Sequence, residues 1–344
     1  MAVISKPREV KRILQWLRKH NACIPAFGTE NALTTESIIV AAHETGRKMG
    51  IPRIPVMLAF TGHYPSRQQL ANYTVTNNVW DGFLAVRDDV YRLAGKGAKF
   101  YSTVNVMVHF DHGHPELDHK VFEAGKNFFS SVMYDCSHLN LKTNMARTAV
   151  FVKNNRNYYL VEGVVDEIYE SGTGAEKNVF TDPVAAEKYV HATGVDLIVV
   201  NLGTEHRAAV ADIKYDHARA RSISRRVGKM LVLHGTSSLP EQKLARLSGD
   251  GIIKVNIWTM LEKTGTAAVV LDSIHNLGCV LPPQELKALK EKNVITEKFY
   301  QRVTRQKMDL RYFTYLHMRN DSWIPAVQKK MGMFYSRFGY HRLG

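Results

Sequence analysis

The sequence predicts an α/β protein whose strands close into a (β/α)8 barrel, the TIM-barrel fold. Eight apolar, strand-like runs alternate with helical segments over about 240 residues, which is the count and length of such a barrel. No Gly-x-Gly-x-x-Gly motif follows any of these runs, which argues against the competing doubly wound open sheet. A chain of 344 residues is long enough for one large barrel domain.

Local signals set the boundaries of the elements. The strands are predicted at residues 23–27, 53–60, 104–113, 128–135, 158–165, 196–203, 230–235 and 251–257. Helices are predicted between them, such as 31–49, where Ile38, Ile39 and Ala42 share a face and Thr34 or Thr35 is the expected cap. Residues 1–18 form an amphipathic helix by their spacing, and the sequence from 282 onward is helical, charged and aromatic. We therefore expect a single domain, with an N-terminal helix in 1–20, the barrel in 21–280 and a C-terminal helical extension in 281–344.

Composition limits the class of protein. A content of 45% apolar and 23% charged residues is typical of a soluble globular chain, and no apolar run approaches the roughly 20 residues of a membrane span. The three cysteines, Cys23, Cys136 and Cys279, fit neither a disulfide framework nor a metal motif, which favours a reducing, cytoplasmic location. The net charge of +14 attracts anions, from phosphorylated metabolites to nucleic acid, without choosing among them.

Three histidines, His112, His206 and His234, each follow an apolar strand. In a barrel the carboxyl ends of the strands meet at one mouth, where catalytic groups collect. Three imidazoles with an open fourth position form a ligand set for catalytic zinc. The adjacent Asp111 adds a carboxylate to the predicted site. The further histidines at 109, 114, 119 and 138 are expected at the surface or behind the ligands.

Six segments then carry a resemblance to a known family. They are VHFDHG (108–113), SVMYDCS (131–137), TDP (181–183), GTEH (203–206), LVLHGTS (231–237) and GIIKVNI (251–257). In order and spacing, from about residue 24 to 259, they resemble the signatures of the class II, zinc-dependent fructose-bisphosphate aldolases.

The resemblance implies a lyase that cleaves or forms a carbon–carbon bond in a ketose phosphate. His112, His206 and His234 match the ligands of Zn²⁺ or another divalent metal, which withdraws electrons from the ketone and stabilises the enediolate. Asp111 matches the carboxylate that handles the hydroxyl proton. The resemblance also implies a homo-oligomer, a dimer or tetramer, and leaves room for a monovalent cation.

Further positions match the substrate contacts of that family. Asn256 matches the residue at the enediolate, and Glu176 is the candidate acid/base for the carbon proton, although a solvated loop carboxylate is an equal reading of it. The phosphate would be received by backbone amides and hydroxyls of the late loops. The matching positions there are Gly203, Gly235, Ser237 and Thr259, and Thr61 stands in for a family serine.

Several positions depart from the family pattern and indicate a reshaped substrate pocket. Arg207, Thr236 and Ser238 replace glycines that let backbone approach a phosphate closely. Arg207 would either grip a phosphate or carboxylate or point to solvent. Trp258 is large enough to close one end of the cavity, and Val164 removes a candidate alternate metal ligand. An atypical ketose phosphate or a carboxylated substrate is therefore expected.

Two other functions stay open at this point. One is a metal enzyme of the same barrel with isomerase-type enediolate chemistry. The other is a basic binding module for nucleic acid, to which the aromatic and basic run 333–342 would contribute. We rank it last, and expect no nucleic acid or membrane partner, because a binding module does not need imidazoles and a carboxylate at one mouth; burial of the run is favoured.

Overall fold

Eight parallel strands close into a barrel in chain order, which confirms the predicted (β/α)8 fold. The computed structural model describes residues 2–65, 67–166, 180–204, 215–236 and 239–344. Each strand pairs with the next along the chain, and the last pairs with the first. The strands are β1 (Ile24–Gly28), β2 (Ile54–Thr61), β3 (Val104–Gly113), β4 (Ser131–Tyr134), β5 (Leu160–Val164), β6 (Leu197–Val199), β7 (Leu231–Leu233) and β8 (Ile252–Ile257).

Several strands are shorter than the apolar runs that predicted them. The run ending at Gly203 gives only β6, and the run ending at Gly235 gives only β7. Both glycines have positive φ angles, 86° and 68°, which are incompatible with an extended strand. Each strand therefore ends before its glycine. The residues at the ends of these runs belong to the loops that form the mouth.

The described helices surround the barrel and continue beyond it. Asn31 caps the second helix by accepting a hydrogen bond from the amide of Thr34, so the expected threonine cap was wrong. No described helix combines the length and the apolar character required to span a bilayer. The helices are α1 (Pro7–Lys19), α2 (Ala32–Met49), α3 (Gln69–Asn72), α4 (Val79–Ala94), α5 (His119–Ala124), α6 (Leu141–Asn155), α7 (Pro183–Thr193), α8 (His217–Val227), α9 (Glu241–Leu244), α10 (Thr259–His275), α11 (Pro283–Glu291), α12 (Glu297–Val303), α13 (Tyr315–His317) and α14 (Ile324–Arg337).

The C-terminal aromatic run packs into the core, as favoured by its pattern. Phe334 and Tyr335 on α14 lie against Phe27 of β1, with ring centroids 6.2 and 6.0 Å apart. The hydroxyls of Tyr335 and Tyr340 both point at the carbonyl of Pro55, at 3.5 and 3.3 Å. These rings therefore fasten the C-terminal helix to the barrel.

Candidate active site

An irregularity at the end of β3 brings two neighbouring side chains into one cluster. Successive side chains of a regular strand point to opposite faces. Here the pairing of β3 with β4 shifts register between Phe110 and Gly113, and His112 adopts a left-handed φ of 47°. Because such a conformation is costly for a residue with a Cβ atom, its presence beside charged groups indicates a functional constraint. Asp111 and His112 can consequently act together.

Asp111, His112 and His234 form a buried cluster at the mouth. Each offers a ligand atom within 4.8 Å of the others, and the two imidazole rings stand nearly perpendicular with centroids 5.0 Å apart. Imidazole nitrogens suit Zn²⁺ and similar divalent ions, and the carboxylate of Asp111 lies close enough to act beside such an ion, so the described residues fit a metal. The third predicted ligand, His206, lies outside the described residues.

A carboxylate behind His112 fixes the orientation of that ring. Oδ2 of Asp135 lies 2.8 Å from Nδ1 of His112, while Oδ1 of Asp135 accepts hydrogen bonds from the amide and hydroxyl of Ser137. Burial would raise the pKa of Asp135, but the hydrogen bonds from His112 and Ser137 lower it to about 2. An imidazole held through Nδ1 would bind a metal through Nε2, the arrangement in which outer carboxylates orient metal ligands.

Asp111 is held as a carboxylate. Burial would raise the pKa of Asp111, but electrostatic interaction with the imidazoles of His112 and His234 and a hydrogen bond from His109 keep it well below the usual range. Nδ2 of Asn256 lies 3.0 Å from Oδ1 of Asp111 and 3.1 Å from Nε2 of His234. The amide of Asn256 therefore bridges the candidate base and a candidate ligand.

A buried charged network, formed by His109, Glu162 and Lys254, lies inside the barrel beneath the mouth. Nζ of Lys254 lies 2.8 Å from Oε2 of Glu162 and 2.9 Å from Nε2 of His109, and all three side chains are fully buried. Burial would raise the pKa of Glu162, but Lys254 and the neighbouring imidazoles lower it to about 2. Oε1 of Glu162 lies 3.7 Å from Nε2 of His234, which joins the network to the candidate metal site. His109 was expected at the surface or behind the ligands and lies behind them, whereas Lys254 was missed, although a cation inside an apolar strand was a signal of it.

The predicted phosphate contacts lie at the same mouth where the structure describes them. Thr259 begins α10 directly after β8, and the N-terminus of such a helix favours an anion. Gly235 and Thr259 line one cavity with Asp111 and Asn256. The amide of Gly203 donates to Oδ1 of Asn201, 3.0 Å away. The predicted residues Glu176, Arg207 and Ser237, as well as Ser238, fall outside the described part of the chain.

Two departures from the family pattern have clear positions. Trp258 lines the cavity beside Gly28 of β1, where a Cβ atom would lie 2.8 Å from that of Trp258, so the glycine makes room for the indole. The hydroxyl of Thr236 donates to the carbonyl of Asn256 at 2.6 Å and ties the loop after β7 to β8. The indole of Trp258 therefore narrows the mouth, and Thr236 cross-links it with a hydrogen bond that a glycine could not form.

A parallel barrel with buried imidazoles and a carboxylate at its carboxyl mouth defines a metal-dependent barrel enzyme. A family model described as fructose-bisphosphate aldolase class-II matches residues 8–336. The chain belongs to the class II fructose-bisphosphate aldolase family, and it is a metal-dependent aldolase.

A relative in sequence agrees with this membership, and solved structures share the fold. The chain is 30% identical over 263 residues to the D-tagatose-1,6-bisphosphate aldolase subunit GatY of Klebsiella oxytoca, a match that covers 73% of this chain and 81% of the relative. The fold is similar to that of the YdjI aldolase of Escherichia coli K12, with TM-score 0.64, 20% identity, and 95% and 96% of the two chains covered. It is also similar to fructose-bisphosphate aldolase of Campylobacter jejuni, with TM-score 0.73, 17% identity, and 98% and 96% covered.

Proposed function

We propose that this aldolase cleaves and forms a carbon–carbon bond in a ketose phosphate or a related anionic sugar, with Zn²⁺ as its metal. The observation that carries the proposal is the convergence of Asp111, His112 and His234 within 4.8 Å. His112, His234 and His206 would hold the ion. When bound, the metal polarises the ketone oxygen of the substrate as a Lewis acid.

Asp111 acts as the base for the hydroxyl proton. As the carbon–carbon bond breaks, the hydroxyl of the aldehyde half gives its proton to this carboxylate and becomes a carbonyl, while the bonding electrons pass to the ketone half. In condensation the proton returns by the same route. The low pKa of Asp111 keeps it deprotonated, as a base must be before it accepts a proton. The amide of Asn256 lies 3.0 Å from its Oδ1 and orients it. Asn256 would also contact the ketone half, and Glu176 would exchange its carbon proton.

The phosphate of the ketone half binds at the loops after β6, β7 and β8. Gly235, Ser237 and Thr259 would supply amides and hydroxyls there, Gly203 would lie beside the anion in the loop after β6, and Arg207 would add a cation. The α10 N-terminus and the net charge of +14 favour an anion at this edge. Thr61, whose hydroxyl is buried beneath a neighbouring loop, would shape the opposite edge.

We also propose a cytoplasmic homo-oligomer. The three cysteines are unpaired and buried, which suits a reducing compartment. Apolar side chains are exposed on α10, on the segment before α13 and on α13 itself, and such patches favour contact with another subunit. They include Val270, Leu271, Ile274, Leu310 and Leu316. Sedimentation velocity tests this: a species of two or four chains is expected, and a monomer at micromolar concentration would refute it.

Cleavage assays test the proposed reaction. The purified enzyme is incubated with D-tagatose 1,6-bisphosphate, D-fructose 1,6-bisphosphate and unphosphorylated tagatose, before and after removal of metal with a chelator. We expect cleavage of a phosphorylated ketose that stops on chelation and returns with Zn²⁺. Cleavage that persists after complete metal removal would contradict the proposal, as would activity confined to the unphosphorylated sugar.

A further inference from the structure

An arginine that the sequence analysis did not single out lies at the candidate base. Arg67 follows β2, and its guanidinium carbon lies 5.6 Å from the ring centre of Tyr64 and 5.3 Å from that of Trp258. Only 11% of its side chain is exposed. Aromatic rings hold a guanidinium by its faces and leave its edge to form hydrogen bonds.

That edge has few acceptors among the described residues. Nη2 of Arg67 lies 3.5 Å from Oδ2 of Asp111, which is long for a hydrogen bond, and Nε is buried without a described acceptor. A guanidinium has five N–H donors, and leaving buried donors unsatisfied costs free energy. Arg67 lines the same cavity as Asp111, so a ligand in that cavity could supply the missing acceptor.

The backbone that carries Arg67 is fixed in place. The buried hydroxyl of Thr61 donates to the carbonyl of Arg67 and accepts a hydrogen bond from the amide of Gln69, 3.1 Å away. The side chain of Gln69 in turn accepts one from the amide of Thr61, at 3.0 Å. Because these bonds fix the backbone and the rings of Tyr64 and Trp258 hold the side chain, the guanidinium is preorganised at the mouth, and binding there avoids part of the ordering cost.

The barrel order shows which part of the substrate Arg67 would meet. β2 and β3 are neighbours, whereas β6 and β7, which lead to Gly203 and Gly235, lie on the opposite side of the closed barrel. Under the proposed function, the phosphate of the ketone half occupies the loops after β6, β7 and β8, and the first two of these loops lie across the barrel from β2. Arg67 instead adjoins Asp111, the base for the hydroxyl of the aldehyde half.

We propose that Arg67 binds an oxyanion, a carboxylate or a phosphate, at the far end of the aldehyde half of the substrate. This inference rests on the proposed function. The planar fork of the guanidinium matches both anions, and the clamp formed by Tyr64 and Trp258 sets its plane. The same contact also positions the substrate for proton transfer, because an anion bound to Arg67 places the reacting hydroxyl next to the carboxylate of Asp111. Arg67 thereby selects acidic aldehydes over neutral ones.

Aldol condensation with dihydroxyacetone phosphate and a set of aldehydes tests this. The set is glyceraldehyde 3-phosphate, succinic semialdehyde and neutral glyceraldehyde, which separates phosphate from carboxylate recognition. We expect the wild type to prefer one acidic aldehyde. Arg67→Gln should lower kcat/KM for that aldehyde about 10- to 100-fold, the effect of losing a hydrogen bond to a charged group, and change the value for glyceraldehyde less than about 3-fold. Arg67→Lys keeps the positive charge but lacks the planar guanidinium. Its kcat/KM for the acidic aldehyde should lie between those of the wild type and Arg67→Gln.

Arg53 provides a matched control. Its guanidinium also lies over a tyrosine, Tyr101, at 6.0 Å, but it precedes β2 at the opposite end of the barrel from the cavity. Arg53→Gln should leave the aldehyde preference unchanged. Circular dichroism and thermal melting of each variant separate a loss of recognition from a loss of fold.

The donor half-reaction distinguishes failure of this inference from failure of the proposed function. Exchange of the carbon-bound proton of dihydroxyacetone phosphate in D₂O, followed by NMR, needs no aldehyde. Absence of exchange in the metal-loaded wild type would contradict the proposed function. With exchange intact in both proteins, the inference on Arg67 is overturned if the wild type has no preference for an acidic aldehyde. It is equally overturned if Arg67→Gln leaves kcat/KM unchanged for every aldehyde, or lowers kcat/KM by the same factor for all of them. The second result would show that Arg67 acts only through Asp111.

Discussion

Nδ1 of His112 lies 2.8 Å from Oδ2 of Asp135, so the penultimate residue of β3 is oriented by the one that follows β4. The ring of Tyr64 stacks on the same imidazole at 4.2 Å. The two contacts fix the ring both in its plane and across its face. A candidate metal ligand is thereby positioned before any metal binds, which is what a preorganised site requires.

Asp135→Asn should weaken metal binding about 10- to 100-fold, because the amide lacks the negative charge that supports the imidazole. Competition with a chelator of known affinity measures the change. Asp118→Asn is the matched control, since Asp118 is also buried and its Oδ1 lies 2.7 Å from Nδ1 of His63 outside the cluster. Equal metal affinity in the two variants would show that Asp135 has no such role.

Asp111→Asn should keep the metal and lose turnover. The substitution preserves the size of the side chain but removes the base, and general-base catalysis contributes about 10²- to 10⁴-fold to rate. Metal analysis and steady-state assays on the same sample separate the two effects. A fully active variant would remove Asp111 from the proposed mechanism.

Lys254→Met should destabilise the protein by about 3–5 kcal/mol, because it leaves Glu162 charged and without its buried partner. The double variant with Glu162→Gln should recover part of that loss, since no unpaired charge remains. Urea unfolding of the metal-free proteins measures both values and the coupling between the two positions. Strictly additive effects would mean that the pair does not act as a unit.

Stability should also depend on Glu262, which lies in the first turn of α10. Burial raises its pKa to about 7, above the ordinary value of 4.5 for a glutamate. The folded protein therefore holds this proton more tightly than the unfolded chain, so the contribution to stability is complete below about pH 4.5 and is lost as pH rises toward 7. Glu262→Gln should melt about 2 °C or more above the wild type at pH 8 and close to it at pH 4.5. The same difference in melting temperature at both pH values would contradict this assignment.

Sequence patterns predicted the barrel and much of its mouth, since strand-end residues of a parallel barrel must converge and the apolar runs were clear. Asp111, His112 and His234 were predicted on that basis and lie together. Lys254 was missed because the sequence does not show that this charge in an apolar strand has a partner. The pairing with Glu162 becomes visible only when β5 and β8 are seen to face the same barrel interior. Arg67 was missed for a different reason: its position depends on the path of the loop after β2, which hydrogen bonds to Thr61 determine.

The metal content of four proteins tests the central claim most directly. Wild type, His112→Ala, His234→Ala and the control His114→Ala are purified identically, loaded with Zn²⁺, passed through a desalting column and analysed for metal. His114 is a suitable control because it follows the same strand but stands outside the cluster. We predict about one tightly held ion per chain in wild type and His114→Ala, and loss of that ion in the other two. Equal metal content in all four proteins would contradict a metal centre at this mouth.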